Sequence, residues 1–293
     1  MHIQDALARY ATQLAANGRS SHTLAQVTRH IVLFEQWLVQ EKRSCTVGEI
    51  DHEDIACFLA SDSVRLRADG EPRKASSANA LRSSLRAFFR FLHDADFVSR
   101  DPARLVQRAR VGPRSPRGMS EAEEARLRGA LVQAETPAEK RDRALFELML
   151  TTGLRVGSAV TLRIEDCELE SGELRVTTMK GGRELLVYAS VQVGELLTEF
   201  IGERRRGWVF EGQAKSPLTP RHVQRRLQLW LERAGVRRAF SPHALRHTFA
   251  TRLYRETRDL LLVQESLGHA SVLSTTVYAT AQRRSHFPKK ALA

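Results

Sequence analysis

The 293-residue sequence predicts a mainly helical protein with one small antiparallel β-sheet, divided into two domains. Three observations lead there. Apolar residues recur at three- and four-residue steps through most of the chain, whereas one stretch beginning at Leu162 switches to strict alternation. Between Asp101 and Met119 both patterns stop, in a run of prolines and arginines that reads as a connector. The length is sufficient for two cores of ordinary size, and a composition of 42% hydrophobic and 27% charged residues is that of a globular chain.

In the first half, the apolar stripes of Ile3 to Leu14 and Leu24 to Leu38 predict two helices, with Ser20 or Ser21 as the cap of the second. A third follows Gly48, over Ile50 to Leu59. The fourth, Ser76 to Leu92, places Leu81, Leu85, Phe88, Phe89 and Leu92 on one face. Arg65, Arg67, Arg73, Lys74, Arg82, Arg86 and Arg90 lie in or beside the last two helices, as a solvated face or a polyanion-binding one. This gives a helical domain over 1–108, followed by a basic connector over 109–118 that contains Arg114 and Arg117.

The second domain, 119–293, opens with Ser120 and Glu123 in capping-box spacing, and its helical region runs on through Arg143 to Leu150. The alternating stretch from Leu162, broken at Ser171-Gly172 and Gly181-Gly182, predicts a three-stranded antiparallel sheet. Helical spacing then returns at Val193 to Phe200, Val223 to Ala234, Pro242 to Tyr254 and Leu260 to Leu267.

Composition narrows the function classes. No window approaches the roughly 18 apolar residues of a membrane span, and the opening residues lack the layout of a signal peptide, so a cytoplasmic location is expected. Cys45, Cys57 and Cys167 are too few and too scattered for a disulfide framework or a thiolate metal site. The formal charge of +12 is common in polyanion-binding proteins, yet also occurs in proteins that never meet nucleic acid.

Three segments of the second half need explaining together: TGLRVGS around Arg155, SPHALRHTFA around His243 and LGHASVLSTTVYA from Leu267. Arg155 follows Thr152-Gly153 at the end of an apolar helix, where a long cation can project from a turn; taken singly it reads as a surface arginine. Ser241 can cap and Pro242 suits a first helical turn, so His243 and Arg246 share one helical face and both can reach one anion. His243 and His247 have the spacing of a zinc pair, but Ala244 occupies the place of the general-base glutamate, and no metal is expected. His247 reads as a packed or hydrogen-bonded core histidine.

With these residues in view, the chain resembles the tyrosine recombinase (phage integrase) family, especially its Xer-like and integron-integrase-like members, over nearly its whole length. The family's arginine in T-G-L-R, hairpin lysine, H-x-x-R helix, L-G-H segment and tyrosine about nine residues later are matched by Arg155, Lys180, His243 with Arg246, His269 and Tyr278. Two departures stand out. Ser158 occupies a position that is usually acidic, and the hairpin MKGGRELLV is one residue shorter than the common pattern.

The resemblance implies an N-terminal core-binding (SAM-like) domain and a C-terminal catalytic domain closing on double-stranded DNA with an inverted-repeat site. It implies four protomers acting on two sites, a Holliday junction and no cofactor. It assigns Tyr278 as nucleophile, Arg155 and Arg246 to the phosphate oxygens, and His243 to the tyrosine proton. His269 would hydrogen-bond the phosphate and Lys180 would protonate the leaving oxygen, with Arg82, Arg86, Arg114 and Arg117 as DNA contacts. A transposase or type IB topoisomerase-like strand transferase uses the same chemistry, and a regulator with a decayed site would keep the fold alone.

Overall fold

The architecture was obtained as a computed structural model, which describes residues 1–67, 69–110, 118–177 and 184–268. The chain divides into two compact units, Met1–Pro113 and Arg114–Ala293.

The first unit is a helical bundle of α1 (Ile3–Ala16), α2 (Ser21–Gln40), α3 (His52–Ala60), the single turn α4 (Asp62–Arg65) and α5 (Ala75–Asp94). Ser20 caps α2 by accepting the Thr23 amide, and Asp51 with Asp54 forms a capping box that starts α3 two residues later than the apolar spacing suggests. The expected stripe of α5 is its buried face: Leu81, Leu85, Phe88, Phe89 and Leu92 pack on Ile31, Phe34 and Phe58, with Phe34 and Phe58 rings 4.9 Å apart. Arg73 departs from the expected solvated or DNA-facing role. Its guanidinium donates to the carbonyls of Val64, Ser63 and Leu66 at 3.0, 3.2 and 3.0 Å, latching the loop before α5. Asn79, buried on α5, exchanges two hydrogen bonds with the main chain of Ala109, at 2.9 and 2.8 Å.

The second unit is built around α7 (Pro137–Thr152). Sequence spacing suggests one helical region from Ser120 to Leu150, but there are two helices, α6 (Glu121–Val132) and α7. Their separation is encoded by a second capping box, Thr136 with Glu139, and by Pro137, which suits a first helical position. Every residue from Ala144 to Leu150 is buried, so α7 shows no polar stripe; α6, α8 (Val156–Val160), α9 (Val191–Ile201) and α11 (Pro242–Thr257) surround it. Asp142, 1% exposed, ties α7 to α10 (Pro220–Arg233) by accepting from Arg226 and from the Trp230 indole at 3.0 Å. Such a buried carboxylate is stable only with partners of this kind.

The sheet is the expected antiparallel meander, β1 (Cys167–Glu168), β2 (Glu173–Thr177) and β3 (Glu184–Tyr188), in the order β1-β2-β3. Its register pairs Leu174 with Val187 and Val176 with Leu185, turning this face to the core and leaving Arg175 and Leu186 outside. The hairpin turn with Lys180 lies outside the described residues. The last described helix is α12 (Leu260–Ser266), capped by Asp259.

One glycine is indispensable. Gly153 ends α7 in the left-handed region (φ 66°), and a Cβ there would stand 2.3 Å from Phe249 Cδ1. Gly153→Ala therefore combines a backbone cost of about 1–2 kcal/mol with overpacking of about 1–3 kcal/mol. Urea denaturation should show a loss of roughly 2–5 kcal/mol.

Candidate active site

The turn that Gly153 permits decides where Arg155 goes. Leu154 is buried behind it, and Arg155, exposed in an extended conformation, stands at the N-cap position of α8. Among the described residues no carboxylate pairs with its guanidinium.

Helix α11 supplies the next groups. Pro242 occupies its first turn, while Ser241 stands at the N-cap position without a side-chain capping bond. His243 is exposed. Arg246, one turn further, is only 3% exposed: its Nη1 donates to the Gly153 carbonyl at 2.8 Å and its Nη2 to the Leu267 carbonyl at 2.6 Å. Those oxygens close the C-terminal ends of α7 and α12, where the helix dipole is negative, so the buried cation is stabilised by two helix ends. Both terminal nitrogens of Arg246 are engaged with main chain beneath the site, and the exposed groups are His243 and Arg155.

His247, one turn on from His243, meets its ring edge to face with centroids 4.7 Å apart. Their four-residue spacing was the available signal. Partial burial of the ring, followed by the charges of Arg246 and Arg155, holds the His243 pKa below the ordinary imidazole value. For His247, burial with His243 and Arg246 nearby pushes it down to about 4. Both imidazoles are therefore neutral at neutral pH, and the exposed His243 can accept a proton. No group of three or more metal-ligating side chains is present among the described residues.

Beyond Leu267, Gly268 (φ 57°) lies against β3, where a Cβ would come within 3.3 Å of Leu185 Cδ2. The Arg246 bond to Leu267 and this contact bring three pieces together: the Arg155 turn, the strand leaving the hairpin, and the chain one residue before His269.

The model of the phage integrase family matches residues 119–284, and that of the phage integrase N-terminal SAM-like domain matches residues 7–96. The tyrosine recombinase XerD of Ralstonia nicotianae is 32% identical over 288 residues, 95% of this chain and 90% of that one. The tyrosine recombinase XerC of Chromobacterium violaceum is 32% identical over 292 residues, 98% and 93% of the two chains. This chain belongs to the phage integrase family.

Among solved structures, the XerH recombinase in its post-cleavage complex with a palindromic difH substrate superposes with a TM-score of 0.75. It has 23% identity, with 94% of this chain and 82% of that one covered. A λ integrase(75–356) dimer bound to a COC′ core site gives 0.73 at 22% identity, over 94% and 97%. At these identities the likeness is one of fold.

Within the integrase pattern, Arg155, His243 and Arg246 lie in one neighbourhood, close enough for both guanidinium charges to act on His243. Lys180, His269 and Tyr278 lie outside the described residues, as do Arg114 and Arg117. Arg82 is half-buried on α5 and Arg86 exposed there. Ser158, at the usually acidic position, is buried in α8.

Since the Arg155 cation disfavours protonation of His243, Arg155→Ala should raise the His243 pKa towards the ordinary value of about 6.5. NMR titration of the imidazole protons reads this directly; an unchanged or lower value would mean that the two groups do not share a site.

Proposed function

We propose that the chain is a site-specific DNA recombinase that cuts and rejoins strands through a 3′-phosphotyrosine on Tyr278. The observation that carries this reading is the Arg246 guanidinium bound to the Gly153 and Leu267 carbonyls. It gathers the turn of Arg155, the helix of His243 and the chain leading to His269 and Tyr278 around one point. The recombinase names of the full-length relatives support the same activity.

In the reaction, Tyr278 Oη attacks the phosphorus while its proton passes to His243, whose neutral imidazole is ready to receive it. The bond from phosphorus to the 5′ oxygen breaks, and Lys180 protonates that oxygen. Arg155 takes the non-bridging oxygens, and Arg246 adds positive charge while holding the Arg155 turn, with a hydrogen bond to the phosphate from His269. The phosphotyrosine retains the energy of the broken bond, so a free 5′ hydroxyl can reverse the steps without nucleotide hydrolysis.

The partner is double-stranded DNA carrying an inverted repeat, engaged by four copies on two sites in the cytoplasm. Arg82, Arg86, Arg114 and Arg117 contact the backbone, a role the surplus of 46 Lys and Arg over 34 Asp and Glu favours. Relatives in this fold have been captured as DNA complexes, including a λ integrase tetramer on a Holliday junction.

The test uses a nicked duplex selected by the protein from a random-sequence pool, incubated in EDTA. Wild-type protein should form a covalent complex resolved on a denaturing gel, and Tyr278→Phe should bind the duplex equally but form none. A covalent complex with the Phe variant would assign the nucleophile elsewhere.

Lys180 calls for a different substrate. Lys180→Ala should cleave ordinary DNA about 10²–10⁴-fold more slowly, as for loss of a general acid. With the bridging 5′ oxygen replaced by sulfur, which leaves as a thiolate and needs no proton, the two proteins should cleave alike. Arg155→Ala should not be rescued, because its charge acts on the non-bridging oxygens. A Lys180→Ala defect that survives the sulfur would place the acid elsewhere.

A further inference from the structure

The chain enters the second unit by touching the helix that carries His243 and Arg246. Met119, a buried residue, donates its amide N–H to Thr248 Oγ1 at 2.8 Å. Thr248 is itself 3% exposed, and its hydroxyl proton goes to the Ala244 carbonyl at 2.9 Å. The hydroxyl is thus fully oriented: it donates within α11 and accepts from outside it. Without that oxygen the Met119 amide would be a buried donor lacking this acceptor.

The residue before Met119 is fitted to the same helix. A Cβ on Gly118 would lie 3.3 Å from the Thr248 nitrogen and 3.4 Å from the His247 carbonyl carbon, both main-chain atoms that cannot swing aside. The backbone of 118–119 therefore lies directly on α11, beside His247. Immediately afterwards the Ser120–Glu123 capping box starts α6, whose first turn is laced to the same stripe of α11 by Glu121 to Arg255 and Glu124 to Arg252. Arg252 also donates to the Leu150 carbonyl at 2.6 Å.

Helix α11 is consequently held on two sides. Arg246 fixes it to the ends of α7 and α12, and the stripe of Ala244, Thr248, Arg252 and Arg255 fixes it to the lead-in and to α6. Sliding or turning about the helix axis would shift His243 and Arg246 together.

We propose that Thr248 is a positioning residue for strand cleavage, locking the first residues after the basic connector to the helix that presents His243 and Arg246. The inference rests on the strand-transfer activity proposed above and adds a group that touches neither phosphate nor nucleophile. Displacements near 1 Å in such sites cost about 100-fold in rate. The hydroxyl acts on the rate of the chemical step while leaving DNA affinity in place.

Thr248→Val keeps the shape and removes the acceptor, whereas Thr248→Ser keeps the oxygen. Gly118→Ala pushes the lead-in away without altering α11. Single-turnover formation of the covalent complex and binding of the same duplex are measured on all three full-length variants, with thermal melting to confirm folding. Thr248→Val and Gly118→Ala should each cleave at least tenfold more slowly with binding within twofold of wild type, and Thr248→Ser should stay within threefold in both. If Thr248→Val does not fold, Gly118→Ala alone decides. Cleavage within twofold of wild type in every folded variant would overturn the proposal. So would a cleavage loss matched by an equal loss of affinity, or one that Thr248→Ser shares with Thr248→Val. Wild-type protein that forms no covalent complex would instead remove the activity itself, whatever the Thr248 variants do.

Discussion

A guanidinium buried in a protein needs an anion or a full set of hydrogen-bond acceptors, and Arg246 finds acceptors at the ends of two helices. Gly153 and Leu267 each present a carbonyl that its own helix leaves open, at the negative end of a dipole. The arrangement satisfies three parties at once: the cation is neutralised in part, and each helix end gains a donor. Much of the second unit follows from it. Gly153 must be glycine for the turn to present its oxygen while Phe249 packs over it, and α12 must end where it does for Leu267 to reach the same side chain.

The two helix-end carbonyls that Arg246 contacts carry only partial charges, so they leave positive potential at the site. The consequence is visible in the two histidines, both held in the neutral form, with His247 pushed down to about 4. Positive potential with neutral imidazoles suits an anionic phosphate and a proton leaving a phenol.

The parts of the fold written in local sequence were legible as sequence. Ser20 and the Ser120–Glu123 box mark helix starts because a cap needs only its neighbours, and the alternation after Leu162 gives the sheet because strand faces have period two. The split between α6 and α7 was equally local, in Thr136, Pro137 and Glu139, but α7 is buried on all sides from Ala144 to Leu150 and offers no stripe there. What spacing did not give was the destination of long side chains. Arg73 looks like a solvated cation and is a carbonyl latch; Arg246 shares a helix turn with His243 yet points inward to atoms 93 and 21 residues away. The four-residue step to His247 gave the right neighbour, and only the packing of α11 tells an edge-to-face pair from a metal pair.

The all-round burial of α7 has a cost during synthesis. Its capping box and proline let the helix start as soon as it leaves the ribosome, with apolar side chains at every position from Ala144 to Leu150 except Glu147. Helix α11, which covers it and carries Arg246 to its end, begins at Pro242, 90 residues after Thr152. At translation rates of about 5–20 residues per second, the side of α7 that α11 covers stays open on the nascent chain for roughly 5–20 s. The second unit is therefore a natural client for chaperones at the ribosome exit, and slower decoding between the two helices would lengthen its exposure to aggregation.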